Sequence, residues 1–558
     1  MSDVDKWEVE DPGFWESTGK KIANKNLWIS IPSLLCGFAI WLCWSIITVQ
    51  MLNLGFEFEK SELFTLIAIA GLSGATLRIP GGVFIHLCGG RNTIFISTLL
   101  LIIPALGTGL ALQDRNTPLW VFQVLALLSG FGGGNFASSM SNISFFFPQK
   151  MQRLALNLNA GLGILGISVM QILVPLVMTF GLFGSLGGDS MPLQTSSGTL
   201  IGKVSAGTKT YMQNAGFVWL LFLVPIAFAS WFRMNNLKVP EVSPKVGHPI
   251  ACFAIICGIS MIGLFTAAGG LWLILPESAN GSGFNVPKEL VLIGVVALTV
   301  SLLKIIPGRI KTDLNRQFKI FDNRHTWIMS IIYTMTFGSF IGYSAAFPLV
   351  IKVIFGYTHV MGPEGVMVHD VVNSNAPSAL MYAWMGPFIG ALIRPVGSWL
   401  SDKMGGAWVT HICSAVMVVS AIGVAYYMKA AYSSATPEQY FLPFFLLFMV
   451  LFAAAGIGNG SAFRTMAMVF DKEQAGPVLI WTSAVAAYGA FYIPKVLGEQ
   501  IKDATPENAL YSFAAFYTLC ILINWWIYLR KDRKAEIVSC PKCGEEFILK
   551  RDNEFYNP

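Results

Sequence analysis

The chain has little charge for its length, few histidines and no acidic residue deep inside its long apolar segments. Of its 558 residues, 12% are charged and 54% are hydrophobic. A soluble protein carries about 25% charged residues, so this composition argues against a soluble globular protein and predicts an all-α polytopic membrane protein. The net charge of +6 is modest. We attribute it to the positive-inside bias of membrane proteins and expect no nucleic-acid partner.

Cysteine and histidine are too scattered to predict a disulfide framework or a complete metal site. The nine cysteines lie mostly in apolar segments, where cysteine is typically a small buried residue. Near the C-terminus, Cys540 and Cys543 form a CxxCG turn that resembles half of a zinc knuckle. Structural zinc needs four ligands, and the tail has no histidine. We therefore favour a remnant or exposed thiols over metal binding, and we expect no cofactor.

Fourteen segments are apolar over about the 20 residues that a membrane-spanning helix needs. The first six lie near 28–52, 63–87, 93–113, 119–146, 153–182 and 214–232, the last six near 326–353, 376–400, 408–431, 440–468, 477–498 and 508–529, and a further pair between them near 249–275 and 289–308. This arrangement predicts an N-terminal segment 1–27, a six-helix half 28–232, a linker 233–325 with two inserted helices, a second half 326–529 and a tail 530–558.

Lysines and arginines are concentrated in the loops that fall on one side of this arrangement. They are Lys20, Lys21, Lys25, Lys150, Arg153, Arg309, Lys311, Arg316, Lys319, Arg324 and the basic residues of 530–534. The positive-inside rule places that side in the cytoplasm. We therefore expect a multi-pass protein of the cell inner (plasma) membrane with both termini cytoplasmic and no cleaved signal peptide, because residues 1–26 are polar and acidic-rich. The polar segments 183–213 and 354–375 are expected outside as ordered loops or lids.

The two halves echo each other in the loop after their second helix. The first copy has Gly89-Gly90-Arg91, and the second reads GSWLSDKMGG and contains Asp402, Gly405 and Gly406. Such duplication is typical of alternating-access transporters, whose sites lie at the midplane between the repeats. The second loop resembles the short cytoplasmic motif of the major facilitator superfamily, although the first copy lacks its Asp. The resemblance implies a major facilitator fold with Asp402, Gly405 and Gly406 in a cytoplasmic gating loop.

Two arginines, Arg78 and Arg394, lie in apolar segments at equivalent places in the two halves. A guanidinium stays protonated, and its placement in hydrocarbon costs about 3 kcal/mol or more. With no carboxylate at matching depth, we expect the partner to be an anion that binds and leaves. Pseudo-symmetry would place the two side chains on opposite walls of one cavity, where their planar forks could bind a small oxyanion bidentately. The alternative is that each arginine snorkels or binds backbone carbonyls.

Longer motifs resemble those of the nitrate/nitrite porter (NarK) family. They are GNFASSMSNISFFFP at 134–148, ALNLNAGLG at 155–163, GISVMQ at 166–171, RIP at 78–80, TFGSFIG at 336–342, GPFIGALIR at 386–394 and FYIPK at 491–495. These matches span almost the whole chain except the inserted pair and the tail. The resemblance implies a twelve-helix core that moves nitrate or nitrite.

The resemblance also implies roles for particular residues. Arg78 and Arg394 would clamp the anion, Phe136 and Phe337 would sandwich it, and Tyr333 would donate a hydrogen bond. Taken singly, each aromatic residue is better explained as part of the core, and only the family resemblance favours a binding role. Glycines of the fifth and eleventh core helices would let these helices slide past the substrate; they are Gly161, Gly163, Gly166 and Gly489.

The chain departs from the family pattern in three places. Ile164 stands where the family usually has Asn, and Asn135 or Asn159 could supply the missing amide. Arg464 stands where relatives often carry Gln, and it could snorkel to the interface or add a positive charge near the inner exit. The glycine run of the eleventh core helix has thinned to AAYGA at 486–490.

The lack of a deep Asp, Glu or His also bears on energy coupling, because proton symporters usually place one in the translocation path. Two fixed positive charges disfavour rearrangement of an empty cavity, so we predict that an anion is bound during each passage and that nitrate is exchanged for nitrite. Proton-coupled nitrate symport is the alternative, since protons can travel on water or on nitrite. A nitrate-sensing receptor is a further alternative that the short tail disfavours. No nucleophile–base arrangement predicts an enzyme.

Overall fold

The computed structural model is almost entirely helical and describes residues 4, 6–238, 246, 248–307, 311–312, 315, 318–362, 367–470, 472–530, 535–539 and 546–550. Thirteen helices in these ranges are long and apolar enough to cross a membrane. With one further helix they are α1 (Pro12–Leu42), α2 (Lys60–Gly81), α3 (Gly90–Ala111), α4 (Leu119–Phe146), α5 (Gln149–Val177), α6 (Asn214–Arg233), α7 (Pro249–Ile274), α8 (Lys288–Ile305), α9 (Arg324–Phe355), α10 (Ala379–Met404), α11 (Gly406–Tyr432), α12 (Pro437–Met466), α13 (Gly476–Lys502) and α14 (Glu507–Leu529).

Helix α8 is the weakest of the fourteen predicted spans. It has 18 residues, and Lys288, Glu289 and Lys304 at its ends shorten the apolar stretch. Its partner α7 contacts it through a hydrogen bond of 2.7 Å between the hydroxyls of Thr266 and Thr299. The predicted inserted pair is therefore helical, and thirteen of the fourteen predicted spans, all but α8, are long and apolar enough to cross a membrane.

The inserted pair lies beside α2 and α13, one helix from each half. Lys288 on α8 forms an ion pair of 2.9 Å with Glu499 on α13, and Tyr492 on α13 donates to Glu289 at 2.9 Å. On the other side, Gly263 of α7 lies against the side chain of Leu77 on α2. The pair thus contacts both halves at their junction.

The N-terminal region is helical earlier than the sequence predicts. Helix α1 begins at Pro12 rather than near residue 28, ends at Leu42 and continues after Cys43 as Trp44–Leu54. The reason is local packing: Trp15 is buried against Phe147, so the polar start of the helix is attached to the end of α4.

Short antiparallel strands occupy the two long segments predicted outside the membrane. The first segment contains β1 (Met191–Pro192), β2 (Ser197–Gly198), β3 (Lys203–Val204) and β4 (Lys209–Thr210), paired as β1–β4 and β2–β3; the second contains β5 (Tyr357–Met361) and β6 (Met367–Val372). A last pair, β7 (Ala535–Ser539) and β8 (Glu546–Lys550), lies in the tail. Cys540, Cys543, Arg309 and Arg316 lie outside the described residues.

Two histidines join β5 to β6 at the C-terminal end of α9. His359 is 1% exposed; its Nε2 is 2.8 Å from the carbonyl of Ile354 and its Nδ1 is 2.7 Å from Nδ1 of His369. Because a carbonyl only accepts, Nε2 of His359 carries the proton, and its Nδ1 accepts from His369. His369 in turn stacks on Tyr432 at 4.2 Å. When both imidazoles are protonated, two N–H groups are set against each other.

Acidification should therefore loosen this hairpin. Burial lowers the pKa of His359 to about 4, and burial followed by the charge of Lys60 lowers the pKa of His369. Since an unperturbed histidine has a pKa of about 6.5, the stabilisation is complete above about pH 6.5 and is lost as pH falls towards 4. Hydrogen exchange of β5 and β6 should rise between pH 7 and pH 4.5 after correction for intrinsic rates, and equal protection at both values would contradict this.

Candidate anion-binding site

Arg78 on α2 is 0% exposed. Its Nε donates to the carbonyl of Gly133 on α4 at 2.9 Å, and its Nη1 donates to the carbonyl of Ser483 on α13 at 3.2 Å. The guanidinium carbon lies 4.9 Å from the ring centroid of Trp41 and 4.7 Å from that of Phe136. Backbone carbonyls thus engage part of the group, as the alternative interpretation of the sequence expects. Its Nη2 has no hydrogen-bond partner among the described residues.

Arg394 lies where α10 is interrupted, as the first residue of the segment Arg394–Met404. Its side chain is buried, with the residue 9% exposed. Its Nη2 donates to Oδ1 of Asn459 on α12 at 3.3 Å, and its guanidinium carbon lies 5.4 Å from the ring centroid of Phe463. Its Nη1 has no partner within the described ranges. No carboxylate in those ranges contacts either Arg78 or Arg394.

Phe136 on α4 and Phe337 on α9 face each other across the junction of the two halves. Their ring centroids are 6.5 Å apart and their planes differ by 24°. The guanidinium carbon of Arg78 is 4.7 Å from one centroid and 5.4 Å from the other, so this charge lies beside the space between the rings. Tyr333 stacks on Phe337 at 5.3 Å and 11°. Three nearly parallel rings thus flank the arginine.

The π-helix Thr334–Gly338 interrupts α9 at this point. Tyr333 directly precedes this widened turn and Phe337 lies within it. The turn presents both rings on one side of the helix. Short π-helical segments occur frequently at functional sites because the extra residue re-aims neighbouring side chains. The sequence contains no signal that predicts this irregularity.

Four buried polar atoms in this region have no hydrogen-bond partner among the described residues. They are Nη2 of Arg78, Nη1 of Arg394, the hydroxyl of Tyr333 and Nδ2 of Asn459. Asn459 is bonded to Arg394, and the hydroxyl of Tyr333 interacts with the guanidinium of Arg394, although the two groups do not meet hydrogen-bond geometry, and with the charge of Arg78. A buried polar atom left unpaired costs about 1–3 kcal/mol, and all four atoms can donate a hydrogen bond. Together they form a site suited to an acceptor with negative charge.

Asn135 and Asn159 are buried, but their described hydrogen bonds lie within the first half. Nδ2 of Asn135 donates to Oγ of Ser33 at 3.4 Å, and Nδ2 of Asn159 donates to Oγ of Ser139 at 2.8 Å. The side-chain oxygen of each has no partner in the described parts of the chain. Ile164 is 1% exposed and ends the first segment of α5. A role for either asparagine in place of an amide at Ile164 stays a prediction.

The four predicted sliding glycines have different surroundings. A Cβ at Gly163 would meet the side chain of Leu34 at 2.6 Å, one at Gly166 would meet the backbone of Leu35, and one at Gly489 would meet the backbone of Gly338. A Cβ at Gly161 would meet nothing within 4 Å. Three of the glycines therefore permit close helix contacts in this conformation, whereas Gly161 does not.

The predicted gating loop is held by an ion pair. Oδ1 of Asp402 lies 2.7 Å from Nε of Arg464 on α12, and Gly405 has a φ of +86°, which glycine adopts without strain. A Cβ at Gly406 would collide with the hydroxyl of Thr465. Arg464 therefore has a carboxylate partner, and its charge is offset at the loop rather than presented to the cavity.

Loss of this ion pair should change transport only modestly. Both side chains are partly exposed, 30% for Arg464 and 42% for Asp402, and exposed ion pairs contribute about 0.2–1 kcal/mol. We expect Asp402→Asn to alter the transport rate by no more than about fivefold. The double exchange Asp402→Arg with Arg464→Asp should recover part of that change. A double variant as impaired as the sum of the single variants would contradict a pairwise role.

Sequence reasoning missed three contributors to this site. Asn459 was visible only as one polar residue in a glycine-rich run, and Phe463 and the carbonyl of Ser483 had no distinguishing pattern. Asn459 and Phe463 on α12 belong to the site because they contact Arg394 on α10. The carbonyl of Ser483 belongs to it because Arg78, in the other half of the chain, donates a hydrogen bond to it. Only a search for buried polar residues facing the arginines could have singled out Asn459.

The helical architecture, the duplicated halves and the buried arginine pair define a membrane carrier of the alternating-access class. A family model described as Major Facilitator Superfamily matches residues 29–494, which confirms the predicted fold class. NarU of Salmonella typhimurium, a nitrate/nitrite transporter, is 33% identical over 552 residues that cover 95% of this chain and 97% of that protein. The probable nitrate/nitrite antiporter NarK2 of Thermus thermophilus is 33% identical over 530 residues, with coverage of 95% and 97%. The chain belongs to the nitrate/nitrite porter family of the major facilitator superfamily.

Solved structures are similar at the level of the fold. An auto-inhibited peptide transporter of the POT family covers 91% of this chain with a TM-score of 0.54 and 14% sequence identity. The xylose transporter XylE from Escherichia coli, in a partially occluded inward-open conformation, covers 91% with a TM-score of 0.52 and 13% identity. At these identities the likeness concerns the arrangement of the helices alone.

Proposed function

We propose that this protein carries nitrate and nitrite across the plasma membrane by alternating access, with the anion held between Arg78 and Arg394. The observation that carries the proposal is the group of four buried donors without partners, which those two arginines share with Tyr333 and Asn459. An oxyanion accepts hydrogen bonds on every oxygen, so one small anion satisfies several of these donors at once. The same anion offsets two guanidinium charges that have no carboxylate partner among the described residues.

The aromatic rings favour a flat anion. Two van der Waals contacts of about 3.5 Å, one on each face of a planar ion, require about 7 Å between flanking rings. The centroids of Phe136 and Phe337 are 6.5 Å apart, slightly less than this spacing, so a planar nitrate needs only a small separation of the rings, whereas a tetrahedral phosphate or sulfate needs a larger one. Two relatives agree with this substrate, because the NarU proteins of Salmonella typhimurium and Escherichia coli are nitrate/nitrite transporters.

Exchange is the transport mode that the site supports best. No Asp, Glu or His in the described ranges contacts either arginine, so no group beside the anion is placed to carry a coupled proton. Without a bound anion, the conformational change would have to bring the uncompensated charges of Arg78 and Arg394 through an occluded state together, which is unfavourable. A relative in Thermus thermophilus is described as a probable nitrate/nitrite antiporter. Proton-coupled nitrate symport is the second candidate, with the proton on water or on nitrite.

The predicted topology completes the proposal. The halves 28–232 and 326–529 would rock about the anion, with the linker 233–325 and its helix pair alongside them in the lipid bilayer. Both termini would be cytoplasmic, which places the loop containing Asp402 inside and the hairpin β5–β6 outside.

Counterflow in proteoliposomes tests the transport mode. Vesicles containing the purified protein are loaded with nitrite, labelled nitrate is added outside, and the pH gradient is varied. Exchange predicts nitrate uptake that requires internal nitrite or nitrate and does not respond to the gradient. Vesicles with Arg394→Lys protein and protein-free vesicles are the controls. Gradient-driven uptake into vesicles without internal anion would overturn exchange in favour of symport, and absence of any nitrate or nitrite movement would overturn the proposed substrate.

A further inference from the structure

A second polar pocket lies between the two halves at the end of the molecule away from the Asp402 loop. Its cavity volume is about 20 Å³, which is room for about one water molecule in this conformation, and both long outer segments contribute to its walls. The polar residues that line it include Asn53 from the first half and Lys352 and Asn373 from the second, with Thr195 and Ser197 from the segment that contains β1 to β4. It is separate from the arginine site in sequence and in the residues that form it.

Lys352 is an uncompensated charge in this pocket. The residue is 8% exposed, and its Nζ has one long hydrogen bond, 3.3 Å to Oγ1 of Thr195. No carboxylate in the described residues lies within ion-pair distance of this ammonium, whereas the neighbouring Lys60 is paired with Asp370 at 3.2 Å. A buried ammonium needs a counter-charge or full hydrogen bonding. Lys352 has neither from the described protein groups.

An aromatic ring connects the two lysines. Nζ of Lys60 lies 4.3 Å and Nζ of Lys352 5.5 Å from the ring centroid of Tyr357. Lys60 belongs to the first half and the other two residues to the second. Neither Lys60 nor Asp370 lines the pocket, and the two pair with each other, so Lys352 is the one charged residue among the described residues of its lining.

The hydroxyl and amide groups around Lys352 are pre-arranged by one another. Thr195 donates to Oδ1 of Asn53 at 3.0 Å, and Nδ2 of Asn53 lies 3.2 Å from Oγ of Ser197. Across the pocket, Nδ2 of Asn373 donates to Glu438 at 2.8 Å, and no ion pair joins Glu438 to Lys352 among the described residues. The hydroxyl and amide groups around Lys352 are therefore hydrogen-bonded to one another or to Glu438. The ammonium of Lys352 is the polar group of the pocket that still needs a partner.

We propose that this pocket is an outer subsite that receives a small inorganic anion, of the same class as the transported one, before the anion reaches the arginine pair. The inference rests on the proposed anion transport. A fixed cation at a narrow mouth raises the local anion concentration and the association rate. Since Thr195 and Lys352 come from different halves, opening of the outer side would separate them and free the ammonium to bind the arriving anion.

Sided kinetics with Lys352→Met tests the subsite, because methionine keeps the apolar stem and removes the charge. We expect KM for external nitrate to rise about tenfold, as for the loss of one charge-assisted hydrogen bond, with kcat and KM for internal nitrate nearly unchanged. Lys352→Arg should stay close to wild type. Lys209→Ala, which removes an exposed outer lysine, is the matched control. Size-exclusion profiles check that each variant folds.

A purely mechanical latch between Lys352 and Thr195 would give the opposite sign. Breaking a latch favours the outward-open state, which lowers KM for external nitrate and raises KM for internal nitrate. That result, or an unchanged external KM, would overturn the subsite. Wild-type vesicles that move no nitrate would instead overturn the proposed function. In that case the subsite is tested by calorimetry of nitrate and chloride binding to the purified Arg78→Lys/Arg394→Lys protein. Weak anion binding that is abolished by Lys352→Met would support the subsite, and absence of binding would reject it.

Discussion

Replacing Arg78 or Arg394 by lysine should reduce nitrate transport by at least about 100-fold, while the protein remains folded in the membrane. Because lysine retains the positive charge, a loss of transport would show that the geometry of the guanidinium, rather than its charge alone, is required. Lysine cannot present two parallel N–H groups to one anion. At Arg78 it also cannot contact Gly133, Ser483 and the anion simultaneously, because those contacts use three separate nitrogens. Two lost charge-assisted bonds of about 1.5–3 kcal/mol each account for a change of this size.

The measurement is nitrate uptake under counterflow, with nitrate binding by calorimetry in detergent as the second readout. Arg233→Lys is the matched control, since Arg233 is an exposed arginine at the end of α6 and its replacement should leave both readouts unchanged. Full transport by either the Arg78→Lys or the Arg394→Lys protein would contradict the clamp. Loss of transport with an unchanged binding affinity for nitrate would show that the arginine is needed for the conformational change and not for holding the anion.

Gly166→Ala should lower both stability and transport, whereas Gly161→Ala on the same helix should be tolerated. A Cβ at Gly166 would collide with the backbone of Leu35 on α1, and a backbone cannot rotate away as a side chain can. Overpacking of this kind costs about 1–3 kcal/mol. A Cβ at Gly161 meets nothing within 4 Å. Gly489→Ala should resemble Gly166→Ala, because the Cβ there would collide with the backbone of Gly338 on α9.

Thermal unfolding followed by fluorescence-detected size exclusion measures the first effect, and counterflow measures the second. Equal stability and activity of the Gly166→Ala and Gly161→Ala proteins would show that the α1–α5 contact is not limiting. A Gly161→Ala protein of normal stability that fails to transport would have a different meaning. It would place Gly161 in a close contact that forms only in another state of the cycle, as the predicted sliding role requires.

The residues of the arginine site could be predicted to different extents. Arg78 and Arg394 stand out because a charge in an apolar segment is costly wherever the helix is placed. Phe136, Phe337 and Tyr333 could be selected only through the family resemblance, since aromatic residues are common in apolar helices. Asn459 could not be selected at all, because its significance is a contact with Arg394 across two helices.

Lys352 illustrates a different limit. A lysine in the last turn of a membrane helix would ordinarily extend to the interface, and its sequence context suggests nothing else. The residue is instead 8% exposed, because the segments with Thr195 and Tyr357 fold over it. Whether a helix end is covered depends on loop packing, for which a single sequence has no periodic signal.

The sequence by itself determined the membrane-spanning helices, the duplicated halves, the arginine pair and the lack of an acidic residue or histidine deep in the apolar segments. These follow from composition and from the cost of a charge in hydrocarbon, which depend on each residue and its immediate neighbours. Only the tertiary structure decided that Arg78 bridges to Ser483 of the other half, that Phe136 and Phe337 stand 6.5 Å apart and that Lys352 is enclosed. Those features are distances between residues far apart in the chain, and packing sets them.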